Sequence, residues 1–277
     1  MRSGGFTLIE LSIVLVIIGL IVGGILVGQD LIKAAEVRAQ ISQIEKYNAA
    51  VNTFRGKFGG IPGDLALAQA NQFGFTATTN CTGAAGMRDG NGLIDGSALY
   101  PLTELEGETG LFWQDISSAS AGNLIEGSFP NSGGTAINCS PGFAVVLSTT
   151  PGSTYIGAYL PAGKIGHGTF VYPYETSGFN WYGLSAATSS LSNGVLNTSP
   201  SIPVVQAYNV DKKVDDGLPT TGAVQTFYLT GANYTASPSG ATDTTTTCYN
   251  TTNNAYSVSS LANYGAGGNC ALSFRFQ

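Results

Sequence analysis

The sequence predicts an α+β fold in which one long N-terminal helix packs on an antiparallel β-sheet head with long loops. An uncharged apolar run extends from Leu11 to Gly28, and an amphipathic pattern of helical period follows it. The remainder is rich in glycine, threonine and short strand-like runs. We therefore expect an N-terminal segment over 1–5, a helix over 6–55 and one head domain over 56–277.

The apolar run is long enough to cross a bilayer, because a spanning helix needs about 18–20 apolar residues. We expect the membrane-spanning part to cover about 6–28. Glu10 lies at its edge, where a carboxylate near hydrocarbon costs several kcal/mol unless it is paired. Cleavage between Gly5 and Phe6 would create an α-amino group that the Glu10 of a neighbouring copy could meet. These residues therefore indicate a precursor that is processed.

The run Gly5-Phe6-Thr7-Leu8-Ile9-Glu10-Leu11 resembles the processing and assembly motif of type IV prepilins and of type II secretion pseudopilins. The resemblance implies that a prepilin peptidase cuts after Gly5 and N-methylates Phe6, so that 1–5 is a leader peptide. It also implies that Glu10 pairs with the next subunit during assembly on an inner-membrane platform.

The function implied by this resemblance is that of a structural, non-enzymatic subunit of a type IV pilus-like filament built from copies of itself or of related chains. The precursor would lie in the inner membrane with its head in the periplasm, and the filament at the cell surface or in the periplasm. Two alternatives stay open: a type II secretion pseudopilin that drives protein export, and a membrane-tethered monomeric binding domain. A secretory signal peptide fits less well, because its cleavage site would follow the apolar run.

The second half of the helix, about 29–55, is predicted to be amphipathic. Apolar residues recur there at steps of three and four, which places them on one face. That face is expected to lie on the head, while charged residues such as Lys33, Glu45 and Arg55 face away. The apolar stripe comprises Val37, Ile41, Ile44, Tyr47 or Asn48, Val51, Phe54 and Phe58.

In the head, strand-like runs predict an antiparallel sheet, and no long helix is expected beyond the first. Short helices are predicted over 63–70 and 110–117, and long loops over 76–96, 131–141 and 236–254. The predicted strands are Phe143–Leu147, Tyr155–Leu160, Thr169–Tyr172, Val204–Tyr208, Val224–Leu229 and Cys270–Phe276.

Four cysteines lie in the part of the chain expected outside the cytoplasm, where disulfides are favoured. Three pairings are possible, and we prefer Cys81 with Cys139 and Cys248 with Cys270. The second pair would close a loop that resembles the disulfide-bounded loop of many type IV pilins.

Two acidic segments suggest calcium, although no cofactor is required by the predicted function. Asp89, Asn91 and Asp95 occupy first, third and seventh positions, as ligands do in calcium loops, but a turn with side-chain hydrogen bonds explains them equally. In the other segment, Asp211, Asp215 and Asp216 could clamp calcium, or cap backbone N–H groups and pair with neighbouring lysines.

Other classes of function have little support in the sequence. The single histidine, His167, lies in a glycine-rich turn without a nucleophile motif, and we expect it at the surface. The net charge of −6 and scattered basic residues argue against nucleic acid as a partner. The alternating acids Glu104, Glu106 and Glu108 predict a solvated face.

An aromatic group could serve adhesion by stacking on a ligand, or could simply form the sheet core. Its members are Phe170, Tyr172, Tyr174, Phe179, Trp181 and Tyr182.

Overall fold

The computed structural model describes most of the predicted helix and the larger part of the head. Cys81, Cys139 and the predicted strand Phe143–Leu147 lie outside the described residues. Those residues are 7–76, 88–96, 107–129, 155–190, 196–230, 233–236, 239–240, 247–258 and 267–276.

The first helix, α1, runs without a break from Leu8 to Phe58, which confirms the predicted long helix. It ends at Gly59, whose left-handed backbone (φ 82°) lets its N–H bond the carbonyl of Arg55. Its first buried side chain is that of Val37, and everything before it is exposed or half-exposed. The predicted stripe faces the head: Val37, Ile44, Tyr47, Val51 and Phe54 are buried, and Ile41 and Phe58 pack beside them.

Within the described residues of the head there are three shorter α-helices: α2 (Leu67–Phe73), α3 (Gly107–Ser117) and α4 (Val204–Val214). α2 starts later than predicted because a turn through Gly63 (φ 86°) precedes it. A Cβ at Gly63 would collide with the carbonyl oxygen of Glu108, so only glycine fits this turn.

Antiparallel strands form the main sheet of the head. Its order is β1 (Thr169–Thr176), β2 (Phe179–Ser190), β10 (Leu272–Arg275) and β4 (Val224–Gln225), and β3 (Leu196–Ser199) pairs with the far end of β2. The remaining short strands are β5 (Phe227–Thr230), β6 (Asn233–Ala236), β7 (Ser239–Gly240), β8 (Tyr249–Asn250) and β9 (Ala255–Tyr256). A long α-helix followed by this sheet is the α+β architecture predicted from the sequence.

Two strand predictions were wrong. Residues Val204–Tyr208 begin the helix α4, in which Val204, Ala207 and Val210 are buried at helical spacing. The strand was predicted because the two adjacent valines are β-branched and favour strands. In the structure, burial of side chains at steps of three outweighs this intrinsic preference. Residues Tyr155–Leu160 form a single 3₁₀ turn over Ile156–Ala158 instead of a strand.

One core joins α1, α3 and the sheet through aromatic rings. Tyr47 of α1 meets Trp113 edge-on at 4.7 Å between ring centroids, and Tyr182 stacks on Phe276 at 4.1 Å. Cys248 and Cys270 form a disulfide with an S–S distance of 1.98 Å. It is the pairing preferred from the sequence, and it ties the β8–β9 hairpin to the start of β10.

Candidate functional site

The N-terminal half of α1 is apolar and does not pack against the head. Leu8 is 91% exposed and Leu20 is 73% exposed. The helix is long and apolar enough to cross a membrane, and none of its most apolar 18-residue window is buried against the protein. In water such a surface is unstable, so this segment needs lipid or other apolar helices around it.

Small residues interrupt this exposed half at Gly19, Gly23, Gly24 and Gly28. A Cβ at any of these positions would meet nothing within 4 Å. The single chain therefore gives no packing reason for glycine, which costs a helix about 1 kcal/mol relative to alanine. In apolar surroundings glycines let helices approach closely, so the pattern favours contact with further helices.

Glu10 and Thr7 form a capping box at the start of α1, in which each residue hydrogen-bonds the backbone N–H of the other. Its carboxylate accepts the backbone N–H of Thr7 at 2.8 Å and the Thr7 hydroxyl at 2.8 Å, and its own N–H bonds that hydroxyl at 3.3 Å. The side chain is exposed, so its carboxylate is accessible to a partner. Gly5 and Phe6 lie outside the described residues, and cleavage and methylation there stay predictions.

In the head, carboxyl groups converge in a first acidic cluster, which we call the Glu108 cluster: Asp64, Asp89 and Glu108. Asp64 follows the Gly63 turn, Asp89 lies in the loop 88–96, and Glu108 stands in the first turn of α3. One oxygen of each group lies within 4.8 Å of the others. Asp64 and Glu108 are buried, whereas Asp89 is exposed.

Backbone N–H groups of the loop 88–96 satisfy the two buried acids. Asp64 accepts the N–H groups of Gly90 and Gly92, each at 2.7 Å. Glu108 accepts the N–H groups of Asp95 at 2.9 Å and Asp89 at 3.4 Å. The loop is therefore folded around these carboxyl groups, and its placement depends on both.

Burial and mutual repulsion shape the protonation of this cluster. Burial, aided by the charge of Asp64, raises the pKa of Glu108 to about 10, so this group is protonated at neutral pH. Burial likewise raises the pKa of Asp64 to about 6, against the lowering effect of its backbone hydrogen bonds. The pKa of Asp95 is raised for the same main reason.

Arg88, the cation next to Asp89 in the chain, does not neutralise the cluster. Its guanidinium forms a buried, bidentate pair with Asp115 at 2.9 and 2.7 Å, and its Nε donates to the carbonyl of Thr76. All three described bonds of this side chain are thus made to partners outside the Glu108 cluster. The ion pair instead anchors the loop to α3.

The structure rearranges the first predicted calcium set. Asp89 joins the cluster, but Asn91 uses its side-chain oxygen to accept the N–H of Leu93 at 2.6 Å and donates to Asp89. Asp64 and Glu108, which do join it, were not predicted. The alternation of Glu104, Glu106 and Glu108 predicted a solvated face, which is wrong for Glu108, because the loop 88–96 covers it. The other two acids of that run lie outside the described residues.

The second predicted set does come together, at the end of α4, as the Asp211 cluster: Asp211, Asp215 and Asp216. Asp211 is fully buried and accepts the Tyr256 hydroxyl at 2.7 Å and the Gly217 N–H at 3.1 Å. Burial, with neighbouring carboxylates adding to it, raises the pKa of Asp211 to about 6. Tyr256 belongs to the hairpin held by the Cys248–Cys270 disulfide, so this cluster joins α4 to the C-terminal region.

The outer acids of the Asp211 cluster organise the turn after α4. The Asp215 carboxylate accepts hydrogen bonds from the backbone N–H groups of Ala223 and Val224. The Asp216 carboxylate accepts hydrogen bonds from the Leu218 backbone N–H and from the Thr221 hydroxyl. Both clusters offer hard oxygen ligands of the type that calcium prefers. Their carboxylates already accept protein donors, as in the alternative interpretation from the sequence, and calcium stays a prediction.

Most of the aromatic group lies in the sheet core. Phe170, Tyr172, Tyr174, Trp181 and Tyr182 are buried, and Phe179 alone of the six is 42% exposed, beneath the Arg275 guanidinium. Five of these rings are therefore not available for stacking on a ligand.

An exposed apolar helix joined to a disulfide-linked α+β head constitutes a pilin-like architecture with a membrane-anchoring helix typical of inner-membrane prepilins. Residues 1–26 match the family described as prokaryotic N-terminal methylation motif. That motif is typical of type IV pilins and pseudopilins, which are generally non-enzymatic structural proteins, and it implies processing by prepilin peptidase and filament assembly in general terms. Neither curated proteins nor solved structures gave a match to the chain.

Proposed function

We propose that this chain is a structural subunit of a type IV pilus-like filament, cleaved after Gly5, N-methylated at Phe6 and assembled through α1. The observation that carries the proposal is the methylation motif over 1–26 followed directly by an unburied apolar helix. The precursor is held in the inner membrane by α1, with its head in the periplasm, until assembly places it in a filament.

Assembly transfers the exposed half of α1 from lipid to a bundle of equivalent helices. Its glycines have no packing role within one chain, and they allow close helix contact in the bundle. Glu10 is exposed at the start of this half, where its carboxylate can exchange the Thr7 N–H for the α-amino group of a neighbouring subunit. This ion pair sets the register between subunits.

The primary test is intact-mass analysis of protein sheared from cells. A chain that begins at methylated Phe6 in the sheared fraction is the expected result. A chain that retains Met1 and stays in the membrane fraction would contradict the proposal.

The role of Glu10 is tested by Glu10→Ala, with Glu45→Ala as the matched control on an exposed position of the same helix. We expect Glu10→Ala to be processed at Gly5 but to give at least a tenfold lower filament yield, because the register-setting ion pair is lost. Glu45→Ala should assemble normally. Equal yields from the two variants would refute the pairing role.

A pseudopilin is the first alternative, and calcium binding is the prediction that accompanies it. Thermal unfolding of the full chain in detergent should be compared with EDTA and with millimolar calcium, for the wild type, Asp64→Asn and Asp211→Asn. A calcium-dependent rise in Tm that disappears in one variant would locate the ion at that cluster. An unchanged Tm in all three would contradict calcium binding at both.

A groove beside α1 favours the second alternative, a tethered monomeric binding domain. It has a volume of about 730 Å³ and is lined by Tyr47, Ala50, Ile125, Phe129, Pro161 and Lys164, among others. Its lining combines apolar and polar side chains, as the linings of ligand sites do. A monomer would be retained in the membrane and would give no filament on shearing, which distinguishes it from the proposed subunit.

A further inference from the structure

The place where α1 leaves the head is defined by a change in burial within one turn. Val37 is 1% exposed, whereas Glu36 before it is half-buried and Lys33 is exposed. N-terminal to this point the helix projects from the head as a free arm. We call this point, at residues 36–37, the neck.

Three polar side chains from different elements meet at the neck. Glu36 of α1 accepts a hydrogen bond from the side-chain N–H of Gln206 in α4 at 2.8 Å. The side-chain oxygen of Gln206 lies 3.0 Å from Nε2 of His167, which lies in the turn just before β1. Gln206 is only 3% exposed, whereas Glu36 is half-buried and His167 is exposed, so a buried amide links two side chains that reach the solvent.

The chemistry of the three groups sets the direction of the bonds. A carboxylate only accepts, so the Gln206 amide must turn its N–H₂ group toward Glu36 and its oxygen toward His167. The imidazole must then donate from Nε2. His167 can do so because its left-handed backbone (φ 56°), between two glycines of positive φ, brings the ring to α4.

Neighbouring polar residues of α1 hold the same loop. Gln40 accepts the N–H of Ile165 at 3.0 Å, and Gln43 accepts that of Lys164 at 3.0 Å while donating to the carbonyl of Ala162 at 2.9 Å. Glu36, Gln40 and Gln43 follow one another at steps of four and three, on one face of the helix. This end of the interface between helix and head is therefore hydrogen-bonded as well as packed.

We propose that Glu36, Gln206 and His167 form a polar latch that holds the first turn of α4 and the His167 turn on α1 at the point where the free arm begins. With the latch open, Val37 still packs on the head, but these two turns are no longer tied to α1. The latch depends only on contacts within one chain, so it stands independently of the filament proposal.

Hydrogen exchange of the full chain in detergent micelles tests the latch. The reporter amides are those of Ala207, bonded to the Pro203 carbonyl, and Thr169, bonded to the Gly166 carbonyl, because they close the first turn of α4 and the His167 turn. Glu36→Ala should speed exchange at both amides about 5- to 10-fold. Leu124, whose amide bonds the Ile116 carbonyl elsewhere in the head, should be unaffected.

Two further variants separate the latch from general destabilisation. Glu36→Gln keeps an oxygen that accepts from Gln206 and should restore slow exchange at both reporters. His167→Asn retains a residue that tolerates the left-handed turn but is too short for the bond, and should speed exchange as Glu36→Ala does.

Glu45→Ala is the control, since Glu45 is an exposed carboxylate on the same helix. The latch is overturned if Glu36→Ala exchanges no faster than Glu45→Ala, or if Glu36→Gln exchanges as fast as Glu36→Ala.

Discussion

The two halves of α1 form one continuous helix, yet their surroundings are opposite. Leu8–Ile32 presents large apolar side chains that the head does not touch, whereas the half from Val37 to Phe54 is packed against the head. Uniform apolar character marks the first half, and a stripe of apolar and hydrogen-bonded residues marks the second. The apolar surface of the first half therefore needs contacts from outside the chain, whereas the second half is covered by the head of the same chain.

The largest expected effect comes from removing a side chain in the packed half. Phe54 is fully buried and contacts the rings of Phe58 and Phe75. We expect Phe54→Ala to lower the free energy of unfolding of the head by about 3–5 kcal/mol through cavity formation. Chemical unfolding followed by tryptophan fluorescence measures this.

Ile18→Ala, in the exposed half, is the matched control, since Ile18 is 51% exposed. It should leave the unfolding midpoint of the head unchanged. A similar loss of stability in both variants would mean that the halves are not independent.

A change of pH should also act on the head alone. The pKa of Glu108 is raised from about 4.5 to about 10 and that of Asp64 from 3.8 to about 6, so the folded head binds more protons than the unfolded chain. These two groups therefore contribute stability that is fully present in acid and is lost as the pH rises, with Glu108 alone accounting for up to about 2–3 kcal/mol between pH 5 and 7. Denaturant titrations in EDTA measure the slope.

Glu108→Gln should reduce this pH dependence, because of the two groups only Asp64 still titrates. Stability that rises between pH 5 and 7 in the wild type would contradict the assigned protonation of Glu108.

A smaller loss is expected from Gln43→Ala, within the hydrogen-bonded part of the packed half. The variant leaves the Lys164 N–H and the Ala162 carbonyl without their partner, which costs about 1–2 kcal/mol. Ser42→Ala, at an exposed position one residue away, serves as control. Equal midpoints for the two variants in urea would show that these bonds add nothing to stability.

The smallest effect on the head is expected from Gly24→Ala in the exposed half. No atom lies within 4 Å of the added Cβ, so head stability should change by less than about 0.5 kcal/mol. Assembly, by contrast, should suffer if close helix contact requires this glycine. Unchanged filament yield would show that Gly24 lies off the contact face.

Features that depend on one segment of the chain could be predicted from the sequence, whereas features that depend on contacts between segments could not. The helix α1 and its stripe were predictable because periodicity within one segment carries them. α4 was predicted as a strand because its valines and tyrosine favour strands locally, whereas its burial depends on contact with α1. Asp64 and Glu108 were missed because only the tertiary fold brings them to the loop 88–96.

The position of β10 within the sheet constrains when the head can fold. Residues 272–275 lie between β2 and β4, and Cys270 just before them carries the disulfide. Until the ribosome has made and released this stretch, β2 has an open edge and the sheet is incomplete. A chain truncated at residue 268 lacks β10 and one cysteine of the disulfide, so it should stay sensitive to protease where the full chain is resistant.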